Sequence, residues 1–221
     1  MCQGTKAMIY PFKNMENIDF SKYAPAEGNV LCLKSVAANM VAQYNGFVWP
    51  ENGHVFAPDW KPTRACGNGL HAFLWGAGDT DLCIHDENAK WLVISVPRET
   101  IIELGGKVKF PAGEVIYCGD KQVAVAIIRH FAPANTPVMF STLTGGDGST
   151  LTGGNHSTLT GGNGSTLTGG YHSTLTGGDG SVLVFRFYKN GQRVVRVAVV
   201  GDGYEPNVAY ELDDEFNIVK A

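Results

Sequence analysis

At 221 residues the chain has room for one or two domains, and its 17 Lys and Arg against 21 Asp and Glu leave a net charge of only −4. Without a Lys/Arg run it lacks a nucleic-acid footprint, and its acidity is too dilute for a nucleic-acid mimic. Cys2, Cys32, Cys66, Cys83 and Cys118 form an odd, scattered set that points to reduced thiols. The N-terminus, with Gln3, Lys6, Lys13 and Asn14, carries no apolar signal core, and no apolar run reaches membrane-spanning length. A soluble cytoplasmic protein with no membrane partner is the expectation.

In chain order, Pro11, Pro25 and Gly28 interrupt residues 1 to 28, and Val30-Leu31-Cys32-Leu33 suits a buried strand. Val36, Met40 and Tyr44 then recur at four-residue spacing behind Ser35, which predicts a helix closed by Gly46. Phe47-Val48-Trp49-Pro50 and His54-Val55-Phe56-Ala57 read as strands of a hairpin turning at Glu51-Asn52-Gly53. Trp91 to Val96 is a strand stopped by Pro97, and Gly105-Gly106 turns between Ile101–Leu104 and Lys107–Phe110. Glu114 to Cys118 is a further strand. Asp120 caps a helix whose Val123, Ile127 and Phe131 share a face, ended by Pro133. The expected architecture is an α+β domain over 1–132, mostly antiparallel sheet with a packing helix, and a stiff linker over 133–140.

From Ser141 one octad, Ser-Thr-Leu-Thr-Gly-Gly-Asp-Gly, restarts at Ser149, Ser157, Ser165 and Ser173, and a sixth copy from Ser181 turns apolar at Val182-Leu183-Val184. Repetition this close means that copies pack on copies. Leucine and threonine alternate in direction along an extended segment. The eighth position runs Gly148, His156, Gly164, His172, Gly180, a true period of sixteen. This predicts a β-solenoid over 141–184 with sixteen-residue coils of two octads each. Leu143, Leu159 and Leu175 stack on one wall, Leu151, Leu167 and Leu183 on the other, and His156 lies against His172. The phrase Gly-Gly-Tyr171-His172-Ser-Thr-Leu-Thr resembles the octapeptide of bacterial ice-nucleation proteins. Val182–Tyr188 and Arg193–Val200 around Asn190-Gly191 predict a β-hairpin, so residues 185–221 form a cap and tail over the last coil.

Outside the repeat, special residues concentrate in Cys66-Gly67-Asn68-Gly69-Leu70-His71-Ala72-Phe73-Leu74-Trp75. This segment, with Gly46–Pro50 and Lys107–Val115, resembles poorly characterised phage and prophage proteins that precede a repeat tail with a small N-terminal domain. Gly67, Asn68, Gly69, His71 and Trp75 are the candidate binding residues. Gly69-Leu70-His71-Ala72-Phe73 also resembles a turn of ADP-ribosyltransferases, which implies NAD as cofactor and Glu103 or Glu114 as the carboxylate that polarises the ribose. That family has Tyr where this chain has His71. Cys66 and His71 are candidates for a nucleophile pair, lacking a marked third residue to orient them. Cys66, His71, Cys83 and His85 have zinc-ligand chemistry without a regular finger spacing, so no metal site is assigned. Gly67-Asn68-Gly69-Leu70-His71-Ala72 fits Gly-x-Gly-x-x-Ala, but no strand precedes it and the dinucleotide fingerprint is rejected.

The leading expectation is a phage- or prophage-type accessory protein whose α+β head binds a host protein or small ligand, with the solenoid as rigid presenter or homo-oligomerisation surface and no catalytic assignment. The alternative is an ADP-ribosyltransferase-like enzyme. A third reading is weak ice binding through the threonine ladder. Thr142 and Thr144 stand about 6.6 to 6.8 Å apart along a strand, on rungs about 4.8 Å apart. The repeat holds fewer than three coils, roughly 13 Å of stack.

Overall fold

The computed structural model describes residues 18–44 and 46–221; Cys2 and the predicted irregular N-terminal stretch to residue 17 lie outside them. The first sheet is built from β1 (Asn29–Val36), β2 (Gly53–Phe56), β3 (Leu70–Leu74), β4 (Lys90–Pro97), β5 (Ile102–Glu103), β6 (Val108–Phe110) and β7 (Ala112–Gly119). Its order is β2-β7-β4-β1-β3-β6-β5, and every pairing is antiparallel. β1 and β4 sit in the middle and are buried on both faces, which is why they read as continuous apolar runs. Alternation along them still sorts two cores. Leu31, Leu33, Trp91 and Val93 face the helix α1 (Lys121–Phe131), while Cys32, Leu92 and Ile94 face Trp49, Phe110 and Val115. The Asp120 side chain caps α1, accepting from the amides of Gln122 at 2.7 Å and Val123 at 3.1 Å.

Three local expectations fail. No helix forms behind Ser35, because Ser35 and Val36 belong to β1, which pairs with β4 along all eight of its residues. That cross-strand ladder outweighs a four-residue apolar spacing, and Met40, at φ 68°, turns the chain back. Val41 instead bridges Val48, with Ala42 bonded to the Phe47 carbonyl at 2.8 Å. The expected hairpin through Glu51-Asn52-Gly53 is also absent, since β2 pairs with the distant β7. Nor is 133–140 a free-standing linker: Val138 and Met139 are fully buried and Phe140 nearly so, all packed with Trp91 and the helix.

The repeat supplies β8 (Thr142–Thr144), β9 (Thr150–Thr152), β10 (Thr158–Gly161), β11 (Thr166–Gly169) and β12 (Thr174–Gly177), followed by β13 (Val182–Lys189), β14 (Gln192–Val199), β15 (Ala209–Leu212) and β16 (Ile218–Lys220). Strands two octads apart pair in parallel and in register. Leu159 aligns with Leu143 and Leu175 on one wall, and Leu167 with Leu151 and Leu183 on the other. Leu159, Leu167, Leu175 and Leu183 are fully buried between the walls, and Leu151 is half-buried. The hairpin β13–β14 extends one wall, with Asn190 and Gly191 at φ 53° and 75° in its turn. The tail extends the other, β15 pairing antiparallel with β12 and β16 with β15.

The serines, which alternation alone leaves unassigned, turn inward. Ser157 Oγ accepts the Ser141 amide at 3.2 Å, Ser173 Oγ the Ser157 amide at 3.1 Å, and Ser181 Oγ the Ser165 amide at 3.1 Å. Each of Ser173 and Ser181 also donates to a carbonyl nineteen residues earlier, Gly154 and Gly162, both at 3.0 Å. The double glycine makes room for this. A Cβ on Gly161 would stand 2.7 Å from Ser165 Cβ, and one on Gly162 would strike the Asp147 side chain and amide of the adjacent period. Left-handed backbone falls instead on the eighth position, at φ 55° in His156 and 64° in Gly164. Asp147, Asn155 and Asn163 complete the corner, each accepting the amide sixteen residues on at 2.8 to 3.0 Å.

Because Leu159 fills the middle of the inter-wall core, Leu159→Ala is expected to cost about 2 to 5 kcal/mol in urea unfolding. Thr158→Ala, on the exposed face, is expected to cost less than about 1 kcal/mol. Equal losses would mean that the faces are reversed.

Candidate functional site

The threonines of β8, β10 and β12 stand on the outer face of one wall. Register places Thr142, Thr158 and Thr174 in one column and Thr144, Thr160 and Thr176 in the next. Thr144, Thr158 and Thr160 are exposed, and the other three half-buried. The opposite wall is less open: Thr150 and Thr166 are exposed, but Thr168 is buried and the column ends in Val182 and Val184. One corner carries a ring stack. Phe140 lies 5.5 Å from His156, which lies 4.9 Å from His172, so the expected His156–His172 contact forms. Burial, then His172, His85 and Lys121, hold the His156 imidazole below its usual range.

The second feature is a cleft of about 450 Å³ beside β3. Of the residues singled out from sequence, Cys66, Gly67, Gly69 and His71 line it. Asn68 braces its rim, donating to Asp59 Oδ2 at 3.0 Å, and Trp75 packs on the helix-side core. The two candidate carboxylates do not converge there. Glu103 is exposed and ion-paired with Arg98 at 3.1 Å, and Glu114 lies on β7 opposite His54 and Ser95. The ADP-ribosyltransferase-like arrangement is therefore not assembled. The four zinc-type side chains also separate: Cys83 is buried in the core, and His85 Nε2 lies 2.9 Å from the Thr80 carbonyl.

Sequence reasoning missed the lysines of this region. Lys109 is fully buried on β6, donating to the carbonyls of Ala65 at 2.9 Å and Gly67 at 3.2 Å, so it holds the loop that carries Cys66. Lys107 donates to Cys66 Sγ at 3.1 Å, and that contact lowers the thiol's pKa. Burial pushes Lys34 down to about 8, with Lys107 adding to the shift. His71 is driven down to about 4 by burial and then by Lys107, Lys34 and Lys109, and its Nε2 is buried without a partner. Alternation in Lys107-Val108-Lys109-Phe110 was the available signal, since it sends both amines to one face of a strand.

Residues 30–127 match the family model described as a domain of unknown function (DUF7666), which covers less than half of the chain. The chain is 39% identical over 107 residues to the ice nucleation protein InaU of Pantoea ananas, covering 47% of this chain and 10% of that protein. It is 41% identical over 118 residues to an ice nucleation protein of Pseudomonas syringae pv. syringae, covering 52% and 10%. A third, from Xanthomonas campestris pv. translucens, is 46% identical over 117 residues, covering 52% and 7%. The chain thus spans about a tenth or less of the length of these relatives. No solved structure matches it. These likenesses support the octapeptide resemblance and correct the expectation of a phage- or prophage-type accessory protein that engages a host, since the relatives are named for ice nucleation. Among the described residues no helix is long and apolar enough to cross a membrane.

The low pKa of His71 has a consequence for stability. A folded value near 4 against an ordinary 6.5 means that the unfolded chain takes up the proton first as pH falls. The contribution is complete above pH 6.5, shrinks between 6.5 and about 4, and levels off below. Urea midpoints measured across that window should fall more steeply for the native chain than for His71→Gln.

Proposed function

We propose that the repeat is a short β-solenoid whose wall of Thr142, Thr144, Thr158, Thr160, Thr174 and Thr176 binds ice. The observation that carries this reading is the in-register pairing of β8, β10 and β12, which sets like threonines directly above one another in two columns. Each threonine offers water a hydroxyl and a methyl. Repeated at about 4.8 Å between rungs and about 6.6 to 6.8 Å along each strand, they form a flat grid. The serine and Asx ladders at its corners bond period to period, so the grid is ordered before water meets it and little entropy remains to be lost on adsorption. The names of the relatives supply independent support.

Size decides between two modes of action. Three rungs span only roughly 10 Å between the outermost strands. A patch this small contacts few water molecules at once, whereas the matched relatives are at least about ten times longer than the stretch they share with this chain. The reading is therefore adsorption to ice already formed, with slowed growth or recrystallisation, and weak nucleation at most.

Native protein is expected to slow the coarsening of polycrystalline ice, and Thr158→Lys combined with Thr160→Lys to abolish that effect while leaving the circular dichroism spectrum unchanged. Thr166→Lys, on the other wall, is expected to retain most of the activity. An undiminished effect in the folded double variant would refute the assignment of this wall.

A further inference from the structure

The cleft beside β3 lies where the sheet splits. β1 pairs with β4 at eight positions but with β3 only at Cys32–Leu74 and Leu33–Phe73. Past Leu33 the two strands part, β3 going on with β6 alone. The gap is lined by Lys34 from one side and Leu70 to Phe73 from the other, and is closed over by residues from the loops around Phe47 and Cys66. Gaps of this kind hold ligands because their walls come from elements already fixed by the rest of the sheet.

Three properties of the lining are unbalanced. Lys34 makes no hydrogen bond or ion pair among the described residues, and Lys107 has only the Cys66 sulfur. The single carboxylate in the lining, Asp59, is engaged by Asn68. A partly desolvated amine without a counter-charge is unfavourable, and a bound anion would correct that. Next, Phe47, Trp49 and Phe73 line the same space, surfaces suited to the faces or edges of a planar ring. Last, His71 shares one ring N–H with the Gly69 carbonyl, which leaves the buried Nε2 as an acceptor with no donor.

We propose that this cleft is a binding site for a small aromatic acid that carries a ring hydroxyl or N–H: its anionic group meets Lys34 and Lys107, its ring lies among Phe47, Trp49 and Phe73, and its donor reaches His71 Nε2. The volume, about 450 Å³, lies in the usual range of small-molecule pockets and leaves ample room for one substituted ring. This site is independent of the threonine wall and stands whether or not that wall binds ice.

Trp49 lies in the cleft, so its fluorescence can report occupancy. Full-length protein is to be titrated with 4-hydroxybenzoate, benzoate and the uncharged 4-hydroxybenzamide. Saturable binding of 4-hydroxybenzoate is expected, about tenfold or more tighter than the amide, the scale of one charge-assisted hydrogen bond. Benzoate should bind more weakly than 4-hydroxybenzoate to the native chain, and the two should be equal for His71→Phe. Lys34→Met is expected to erase the preference for acid over amide. Because the ligand comparison on native protein needs no variant to fold, it decides alone. Equal affinity for acid and amide, or no saturation by either acid, would overturn the proposal.

Discussion

The repeat depends on hydroxyl groups that face away from water. Ser141, Ser157, Ser165, Ser173 and Ser181 are all essentially inaccessible; the hydroxyls of the last four each accept an amide one period earlier, and that of Ser141 donates to the Val138 carbonyl at 2.7 Å. A buried hydroxyl left without a partner costs about 1 to 3 kcal/mol, while a made bond contributes only about 1 kcal/mol net. Completion is therefore favoured less by what each bond adds than by what an omitted period would leave orphaned. The same serines dictate the glycines, because a side chain on Gly161 would occupy the place that Ser165 fills. Threonine is then the residue left free to face solvent.

Both ends of the stack are flanked by sequence that no longer follows the octad. Edge strands with unpaired amides and carbonyls recruit other chains, and each wall meets that hazard separately. The hairpin β13–β14 continues one wall from Val182 onward. The tail covers the other through Leu175–Tyr210 pairing, helped by the Asn207 amide on the Gly177 carbonyl at 2.8 Å. At the start, Arg129 Nη1 from α1 donates to the Thr152 carbonyl at 2.7 Å, and the Gly154 amide donates to the Val138 carbonyl at 2.8 Å. The helix and the segment after it thus contact the opening period through single hydrogen bonds, where the hairpin and tail pair with the last as strands.

How much of this was legible depended on how local the deciding interaction is. The sixteen-residue period, the leucine stacking, the His156–His172 contact, the Asn190-Gly191 hairpin and the Asp120 cap all rest on neighbours in sequence or on exact repetition, and all were readable. The helix expected behind Ser35 failed because its fate is settled by β4, more than fifty residues away. Val138 and Met139 looked like linker because Pro133 and Pro137 precede them, yet Trp91 and α1 bury them. The cleft was half visible. Cys66, Gly67, Gly69 and His71 stood out as unusual residues, but Lys34 joins them only because β1 parts from β3, and nothing in a single strand's sequence announces where its partner leaves it.

Phe140 occupies the place in the ring stack that His156 and His172 hold one and two periods later, with the same left-handed backbone at φ 58°. The first sheet is therefore in phase with the repeat, and the hairpin and tail are each bound to a particular wall. This sets an arithmetic for copy number. Adding or losing sixteen residues would lengthen or shorten both walls and leave every end contact intact. Adding or losing eight would exchange the walls, delivering the hairpin to the strand that the tail should cover and a glycine to the corner where a ring is stacked. Duplication can therefore change the height of this array only in paired octads, even though a single octad is the unit the sequence displays.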